Sequence, residues 1–336
     1  MFIVTIDSGT TNTRVRLWQN NIVIAQASEP VGVRDTAITG SKEKLSQAVK
    51  RCLENVLAEK GIITYDNNII IVASGMVTSN IGLYEVPHLV TPVSREQLAN
   101  SMVKQILPEI INHPIWFIPG IKNDVTEINL DNCELMDVMR GEEIEAIGVL
   151  SLLDLHGPAL IILPGSHSKF VKINQNNEII SSATTLAGEF IDIITQQTIL
   201  SSSLNHQFAS SIEEEYLLKG AQYCQKVGIT RSCFSIRILD LFSQLTINQK
   251  ANFLLGIVLY SDIQAIKNSQ ALNCNKHTKI VICGKKILRD ALSILIKHDD
   301  FFMGDLINFA DENHPPLSGI GAITLINQLI KAGTKL

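Results

Sequence analysis

Residues 1–18 read MFIVTIDSGTTNTRVRLW, an apolar run that gives way to a polar, glycine-bearing segment and then resumes. The β-branched, apolar character of Phe2 to Ile6 is typical of a buried strand. Asp7 to Arg14 contains the residue types that form tight turns, and Val15 to Trp18 is largely apolar again. The stretch therefore predicts a β-hairpin with a polar tip.

The tip of this hairpin carries groups that can bind a phosphate. Gly9 lets backbone N–H groups approach an anion without an intervening Cβ, while the hydroxyls of Thr10 and Thr11 are further donors. Arg14 adds a guanidinium, and Asp7 beside a phosphate indicates a divalent cation between the two negative groups. The alternative is an ordinary β-turn, which Asp, Ser and Gly also form. Because a turn does not require the added Thr-Thr-x-x-Arg, a phosphate site is favoured.

The composition predicts a soluble globular protein. The chain has 336 residues, 46% of them hydrophobic, and a formal net charge of −5, which allows two domains with a sizeable core. The sequence has no Lys/Arg-rich run, so nucleic acid is not expected as a partner. Asp7 interrupts the first apolar residues before they reach signal-peptide length, and no apolar run approaches the roughly 20 residues of a membrane span. A cytoplasmic location without a membrane partner is expected.

The six cysteines and eight histidines show no pattern of a metal or redox site. The sequence contains neither a Cys-x-x-Cys pair nor a His-x-x-x-His pair, so structural zinc and a redox motif are not supported. The glycine-rich loops of P-loop kinases and of dinucleotide-binding proteins are also missing from the sequence. These exclusions leave the hairpin tip as the main indication of chemistry.

The segments after the hairpin predict alternating strands and helices. Residues 22–27 predict a third strand, and residues 28–40 a polar connection without a clear period. A helix is predicted from Ser41 to Gly61, because apolar residues recur at helical spacing. The unbroken apolar run 69–73 indicates a parallel strand covered on both faces. A capping box at Ser94 predicts a second helix that ends near Pro108.

The loop after the apolar run 69–73 is a candidate substrate site. Residues Ser74 to Gly82 follow the carboxyl end of the predicted parallel strand, where open sheets commonly bind ligands. Ser79 and Asn80 are the candidate contacts in this loop. A solvated loop without function is an equal alternative, because polar segments bounded by glycine also form plain connections.

A second candidate site begins at Arg140. The sequence predicts a turn that delivers Glu142 and Glu143 to the first turn of a helix. Glutamates at a helix start also stabilise the helix dipole in any protein, so that alternative stays open. Gly141 permits close approach, and Arg140 can bind an anionic substrate while a glutamate takes its proton. These neighbours favour a functional site.

The pattern of the first hairpin recurs in the second half of the chain. Residues 159–163 form an apolar strand, Pro164 to Lys169 a polar turn with a glycine, and Phe170 to Ile173 a returning strand. Such a repeat predicts two similar domains, 1–155 and 156–336, that face each other across a nucleotide.

Three later segments are weaker candidates. Residues 279–283 predict a buried strand that runs into Gly284 and a helix, a geometry that can place backbone against a purine ring but is unspecific. Glu189 lies at the start of a predicted helix, where it could face the cleft or simply cap the helix. The small residues of 317–322 open a C-terminal helix and allow close packing or hinge movement.

The hairpin tip resembles a known phosphate loop. Its spacing, Asp-x-Gly-Thr-Thr-x-x-Arg, is similar to the first phosphate loop of the sugar-kinase branch of the superfamily that unites sugar kinases, actin and heat-shock chaperone ATPases. Over nearly its whole length the chain resembles the 2-dehydro-3-deoxygalactonokinase family of sugar-acid kinases. Five ordered blocks carry this resemblance: Asp7 to Arg14, Gly75 to Gly82, Ile118 to Gly120, Met139 to Glu143, and Pro164 to Lys169.

The resemblance implies an α/β fold of two duplicated ribonuclease-H-like domains, of the actin/hexokinase type, around a nucleotide cleft. It implies transfer of the γ-phosphoryl group of ATP, with Mg²⁺, to the C6 hydroxyl of 2-dehydro-3-deoxy-D-galactonate in galactonate breakdown. The N-terminal domain would hold most of the sugar-acid site, and the C-terminal domain would hold the adenosine site. A homodimer is left open as the assembly.

The resemblance also implies roles for particular residues. Asp7 would act in catalysis by orienting Mg²⁺, and Glu142 or Glu143 would accept the hydroxyl proton, with Asp137 as the next candidate. The expected contacts with ATP and its phosphates are Gly9, Thr10, Thr11, Arg14, Gly165, Ser166, Ser168, Lys169 and Gly284. The expected contacts with the sugar acid are Ser79, Asn80, Arg140 and His167.

The sequence departs from the family pattern at a few positions, and two rival functions use the same scaffold. Ser8 and Phe170 each stand where tryptophan is expected, and Ser166 where threonine is expected. Pro164 lies near the place of an aspartate common elsewhere in the superfamily, which leaves the cation to Asp7. The rivals are an exopolyphosphatase or nucleotide phosphohydrolase, in which a carboxylate activates water, and a non-catalytic actin-like nucleotide switch.

Overall fold

The structure is a computed structural model that describes residues 1–62, 68–153, 155 and 157–334. In chain order, the strands within these ranges are β1 (Phe2–Ser8), β2 (Thr13–Gln19), β3 (Ile22–Glu29), β4 (Ile69–Gly75), β5 (Leu89–Val90), β6 (Val103–Leu107), β7 (Ile111–Phe117), β8 (Ile121–Lys122), β9 (Val138–Met139), β10 (Ala159–Leu163), β11 (Ser168–Ile173), β12 (Ile179–Thr185), β13 (Lys279–Ile282) and β14 (Leu306–Asn308). The α-helices are α1 (Val33–Thr39), α2 (Glu43–Ala58), α3 (Arg95–Asn100), α4 (Glu142–Leu153), α5 (Ala187–Gln197), α6 (Glu214–Val227), α7 (Ile229–Phe242), α8 (Ile247–Asn268), α9 (Lys286–Lys297) and α10 (Leu317–Lys331).

The predicted opening hairpin forms the centre of a six-stranded sheet with the order β3-β2-β1-β4-β7-β6. The first three strands are antiparallel neighbours, whereas β4 runs parallel to both β1 and β7. All residues of β4 are buried, as its unbroken apolar run predicts. Helix α2 covers one face with the predicted apolar side chains, including Leu45, Leu53 and Val56.

The second half of the chain builds a sheet with the same plan, in the order β12-β11-β10-β13-β14. Strands β10, β11 and β12 are antiparallel neighbours, and β13 runs parallel to both β10 and β14. The hairpin β10–β11 therefore holds the same place in this sheet as β1–β2 holds in the first. The repeated order and directions confirm the predicted duplicated ribonuclease-H-like fold.

Two predictions of secondary structure between these elements are wrong. The helix that begins at Ser94 has the predicted capping box, but it ends at Asn100, and residues 103–107 form β6 instead. Antiparallel pairing of β6 with β7 overrides the helical pattern there. The predicted connection 28–40 contains α1, which has too few apolar residues to show a period.

The predicted domain boundary lies between residues 155 and 156. Residues 154 and 156 lie outside the described residues, so the domain limits stay a prediction. Helix α10, from the end of the chain, packs against α4 and also contacts β1 and β4 of the first sheet. The C-terminal helix thus joins the two halves. Among the described residues, no helix has the length and apolar character needed to cross a bilayer.

Candidate active site

The start of α1 binds the tip between β1 and β2 through backbone hydrogen bonds. The N–H groups of Val33 and Arg34 donate to the carbonyl oxygens of Gly9 and Thr10, at 3.2 and 2.9 Å. A Cβ on Gly32 would lie 2.5 Å from the carbonyl carbon of Thr10, so only glycine allows this approach. The tip, residues 8–13, is called loop 1 below.

The hydroxyls of Ser8 and Thr13, the two end residues of loop 1, are buried and support the loop at its base. Their oxygen atoms are 2.9 Å apart, and Thr13 donates to the carbonyl oxygen of Val31 at 2.8 Å. Since the proton of Thr13 is used there, Ser8 must donate to Thr13. The small residue at position 8 thus packs under the loop.

The tip between β10 and β11, residues 164–168 and called loop 2 below, is supported in the same way. The N–H of Glu189 in α5 donates to the carbonyl oxygen of Ser166 at 2.9 Å. A Cβ on Gly188 would lie 2.1 Å from the carbonyl oxygen of Gly165. In each half, a helix start with a glycine therefore binds the carbonyl groups of the hairpin tip, and the two tips are equivalent parts of the duplicated fold.

The two loops border two adjoining cavities. The first cavity has a volume of about 670 Å³ and lies between loop 1, the end of β4 and the start of α4. The second has a volume of about 840 Å³ and lies between loop 2, α5 and the start of α9. Thr10 and His167 line both cavities. These two residues mark the place where ligands in the two cavities would meet.

Most of the expected site residues line these cavities. Those on the 670 Å³ cavity are Asp7, Gly9, Thr10, Arg14, Ser79, Asn80, Arg140, Glu142, His167 and Lys169. Those on the 840 Å³ cavity are Thr10, Thr11, Gly165, Ser166 and His167. The other three, Glu143, Ser168 and Gly284, are absent from the lining of both cavities.

Ser168 and Gly284 lie behind the cavity walls. The side chain of Ser168 is buried near the carboxyl group of Asp262 in α8. Gly284 has a φ of 84° and packs against Pro164, so that Lys285 and Lys286, which follow it, reach the 840 Å³ cavity. Both residues support the shape of the second half of the site.

Asp7 lies at the end of β1 with its carboxylate partly exposed to the 670 Å³ cavity. Its Oδ2 is 3.8 Å from Nη1 of Arg14. Burial raises the pKa of Asp7, the charges of Arg16 and Arg14 lower it, and the carboxylate of Glu142 raises it further. The net upward direction means that the effect of burial outweighs the favourable charges of the two arginines.

Glu142 and Glu145 face the same cavity from the first two turns of α4. Burial, together with the charges of Asp7 and Glu142, raises the pKa of Glu145 to about 8. Together, Asp7, Glu142 and Glu145 present oxygen ligands to the cavity. Within the described ranges, no group of three or more His, Cys, Asp and Glu side chains is arranged to hold a metal ion by itself.

Glu143 points away from the cavity and supports the turn before α4. Both of its carboxyl oxygens lie within hydrogen-bond distance of the N–H of Gly141, at 2.9 and 2.8 Å. Burial and the charge of Glu142 raise the pKa of Glu143 to about 8. Gly141 itself has a φ of 125°, which favours glycine, and so allows the turn to lie against Gly75 at the end of β4.

Arg140 lines the cavity but is bound to protein groups. Its Nη1 donates to the carbonyl oxygen and the hydroxyl of Thr78, each at 2.6 Å, and its Nη2 donates to the carbonyl oxygen of Val86 at 3.0 Å. Nη2 also lies 3.2 Å from the ring nitrogens of His88. Burial and the charges of Arg140 and Lys122 lower the pKa of His88 to about 4, so its imidazole is neutral near pH 7.

Lys169 lies in a buried polar network between the two halves. Its Nζ donates to the carbonyl oxygen of Val138 at 2.7 Å, to the carboxylate of Asp137 at 3.3 Å, and to the hydroxyl of Thr184. Asp137 also accepts the hydroxyl of Ser182 at 2.9 Å. Asp137 accepts three side-chain donors, whereas the carboxylate of Glu142 accepts one N–H, that of Arg140 at 3.1 Å, so Asp137 is less suited to act as a base than Glu142.

Sequence reasoning missed Glu145, His88 and Thr184 as parts of this cavity. A weak signal existed for Glu145, since it follows Glu142 by three residues and therefore lies on the same side of α4. His88 and Thr184 carry no local signal, because only tertiary contacts bring them to the cavity.

The duplicated fold, with two glycine-bearing hairpin tips on adjoining cavities and carboxylates beside one of them, defines a nucleotide-dependent phosphotransferase of the sugar-kinase and actin type. Comparison with known families gives a more specific result. The chain belongs to the 2-keto-3-deoxy-galactonokinase family, which it matches over residues 7–302. It is therefore an ATP-dependent sugar-acid kinase, and ATP and a sugar acid are its substrates; the phosphohydrolase and switch functions are not favoured.

Relatives of known name agree with this membership. The chain is 22% identical over 284 residues to the 2-dehydro-3-deoxygalactonokinase of Escherichia coli (strain K12), a match that covers 84% of this chain and 86% of the relative. It is 26% identical over 206 residues to a candidate enzyme of the same name from Rhizobium meliloti (strain 1021), covering 60% and 59%.

A crystal structure of a candidate 2-dehydro-3-deoxygalactonokinase from Sinorhizobium meliloti has a similar fold. Its TM-score is 0.71 at 20% identity, over 97% of this chain and 96% of that chain. At this level of identity the similarity shows a shared fold and says nothing about individual residues.

Proposed function

We propose that this enzyme transfers the γ-phosphoryl group of ATP to the C6 hydroxyl of 2-dehydro-3-deoxy-D-galactonate, in the cytoplasmic breakdown of galactonate. The sugar acid occupies the 670 Å³ cavity and ATP occupies the 840 Å³ cavity. The observation that carries this assignment is that Thr10 and His167 border both cavities. A phosphoryl group moving between the two ligands would pass these residues, with loop 1 on one side and loop 2 on the other.

Phosphoryl transfer depends mainly on positioning and charge neutralisation, so the loops supply most of what is needed. Gly9 and Thr10 of loop 1 bind the phosphates from the first half with Thr11 and Arg14. Gly165 and Ser166 of loop 2 bind them from the second half. Lys169 adds positive charge to the wall of the 670 Å³ cavity while it remains bound to Asp137. The buried side chain of Ser168 and the packing of Gly284 against Pro164 support loop 2 on the side away from the cavities.

The residues present fit a bound Mg²⁺. The side chains beside loop 1 offer carboxylate oxygens, which Mg²⁺ prefers, and Asp7 lies 3.8 Å from Arg14, beyond the distance of a hydrogen bond. Asp7 would hold the ion, and phosphate oxygens and water would complete its shell, as is usual for this metal. When bound, Mg²⁺ supplies neutralising charge to the phosphate oxygens.

Glu142 is the residue that accepts the proton of the sugar hydroxyl. Its carboxylate faces the acceptor cavity beside Asp7, whereas Glu143 is buried and hydrogen-bonded to Gly141. A base must lie within reach of the proton it removes, and this geometric requirement separates the two glutamates. Glu143 instead holds the turn that places Glu142.

The carboxylate and hydroxyls of the sugar acid bind at the end of the cavity formed by Ser79, Asn80 and Arg140, with His167 closer to the reacting phosphate. Arg140 contributes its charge to this end while its Nη atoms stay bound to Thr78 and Val86. We expect Arg140→Ala to raise the KM for the sugar acid, and an unchanged KM would remove this assignment.

The proposal is tested by measuring ADP production with ATP, Mg²⁺ and a panel of 2-keto-3-deoxy sugar acids. We expect the galacto-configured acid to stimulate ADP release most strongly. If no acid in the panel stimulates release, the kinase assignment fails for these substrates. Rapid ADP release without any acid would instead support a phosphohydrolase.

A further inference from the structure

Arg34 lies on the wall of the 840 Å³ cavity, although it belongs to the first half of the chain. Among the described residues, the first half contributes three to this lining, and the other two are Thr10 and Thr11 of loop 1. Within that part of the chain, Arg34 is therefore the one cation that the first half presents to the proposed donor cavity. Neither the sequence pattern nor the family resemblance assigns it a role.

The backbone of Arg34 is fixed to loop 1. Its N–H donates to the carbonyl oxygen of Thr10 at 2.9 Å, and the close packing of Gly32 on Thr10 holds the preceding turn. The base of the Arg34 side chain thus keeps a constant place relative to the loop that binds phosphate. Any movement of loop 1 toward a nucleotide would carry Arg34 with it.

The guanidinium of Arg34 is exposed, and in the described part of the chain no carboxylate forms an ion pair with it. The neighbouring Asp35 instead accepts Lys44 at 2.5 Å and the N–H of Gly32 at 3.1 Å. On the opposite wall, Glu189 pairs with His167 at 3.0 Å. Asp35 and Glu189 are thus engaged with other groups, which leaves the charge of Arg34 available for a ligand.

We propose that Arg34 binds the β- and γ-phosphate oxygens of the nucleotide, so that ATP joins the two halves of the enzyme. This inference rests on the proposed placement of ATP in the 840 Å³ cavity. A guanidinium matches phosphate oxygens with two parallel N–H donors, and such charge-assisted hydrogen bonds are stronger than neutral ones. Because Arg34 and loop 1 act from the first half, binding of the terminal phosphates draws that half toward loop 2.

The test compares Arg34→Ala and Arg34→Lys with the wild-type enzyme by isothermal titration with a non-hydrolysable ATP analogue and with AMP, both in the presence of Mg²⁺. For Arg34→Ala we expect the affinity for the ATP analogue to fall by about 10-fold to 100-fold, the range for loss of charged hydrogen bonds. The affinity for AMP should stay within about 2-fold, because AMP lacks the two distal phosphates. Arg34→Lys should recover part of the loss.

Arg51→Ala is the matched control, because Arg51 is also exposed but pairs with Glu29 at 2.6 Å and lines neither cavity. Its affinity for the ATP analogue should equal that of the wild type. The proposal is overturned if Arg34→Ala binds the analogue as tightly as the wild type, or if it loses AMP affinity equally. These binding measurements need no sugar acid, so a failure of the proposed acceptor would leave them interpretable.

Discussion

Glu142 and Glu143 are consecutive residues of α4, yet Glu142 faces the 670 Å³ cavity and Glu143 is buried with its carboxyl group on the N–H of Gly141. Successive side chains on a helix point about 100° apart, so one glutamate enters the cavity and the next turns into the protein. The two side chains therefore lie in different surroundings, that of Glu142 at the cavity and that of Glu143 beneath the turn.

Glu142→Gln should lower kcat strongly. Glutamine keeps the shape of the side chain but cannot accept a proton, and loss of a positioned base typically costs about 10²-fold to 10⁴-fold in rate. The KM for ATP should change little, because Glu142 lines the acceptor cavity and not the donor cavity. Steady-state kinetics with both substrates varied provides the measurement.

Glu143→Gln is the matched control for Glu142→Gln. The amide oxygen can still accept the N–H of Gly141, and the wild-type side chain is already largely protonated near neutral pH because its pKa is raised to about 8. The variant should retain kcat within about 5-fold, since the turn keeps its acceptor. A full loss of rate in this variant, with full activity in Glu142→Gln, would reverse the two assignments.

The raised pKa of Glu143 predicts a pH dependence of stability. Between its usual pKa and about 8, the folded protein holds a proton that the unfolded chain has lost. The contribution of this group to stability therefore falls as pH rises through that window. Glu143→Gln should remove this contribution, so the free energy of unfolding of the variant should rise relative to that of the wild type by roughly 3 kcal/mol between about pH 5 and about pH 8.

Urea unfolding of both proteins across this pH range measures the difference directly. Groups far from Glu143 titrate equally in the two proteins and cancel in the comparison, whereas Glu145, whose pKa the charge of Glu143 raises, contributes to the difference. A difference between wild type and variant that is independent of pH would mean that Glu143 is ionised in the folded protein.

Gly32→Ala should impair ATP use without changing any group that touches a ligand. The new Cβ would lie 2.5 Å from the carbonyl carbon of Thr10, so loop 1 or α1 must move. Insertion of a methyl group into such a contact typically costs about 1–3 kcal/mol of stability. We expect a fall in kcat/KM for ATP of about 10-fold or more, because small displacements of positioning groups have large effects on rate.

Gly40→Ala, at the other end of α1, serves as the control. A Cβ there meets no atom within 4 Å, although its φ of 69° makes alanine mildly unfavourable. This variant should lose some stability but keep its kcat/KM. If both glycine variants lost activity in proportion to stability, the contact between Gly32 and loop 1 would have no specific role.

Much of the fold could be predicted because its signals are local. The run from Phe2 to Arg14 and its repeat at residues 159–169 contain strand, glycine and hydroxyls in the same order, and both hairpins form as expected. In contrast, α1 has no apolar period, and it is stabilised by the carbonyl groups of loop 1. The sequence of residues 103–107 is also compatible with a helix, and only the pairing with β7 shows that these residues form a strand.

The candidate site was predictable to the extent that its residues lie in short motifs. Asp7, Glu142 and Ser166 occur within two residues of a glycine that permits close approach, and all three reach a cavity. His88 and Thr184 occur in no motif, because their places depend on contacts between residues far apart in the chain. For the same reason the network of Lys169 with Asp137 could not be anticipated.

We expect Asp7, between loop 1 and the acidic start of α4, to be required for phosphoryl transfer to the sugar acid. The most direct measurement is ³¹P NMR of ATP, Mg²⁺ and 2-dehydro-3-deoxy-D-galactonate with the wild type and with Asp7→Asn, whose folding is checked by thermal unfolding. We predict that the wild type forms ADP and a sugar phosphomonoester together, and that a folded Asp7→Asn enzyme is slower by at least about 100-fold. A folded Asp7→Asn enzyme that formed the phosphomonoester at the wild-type rate would contradict the account.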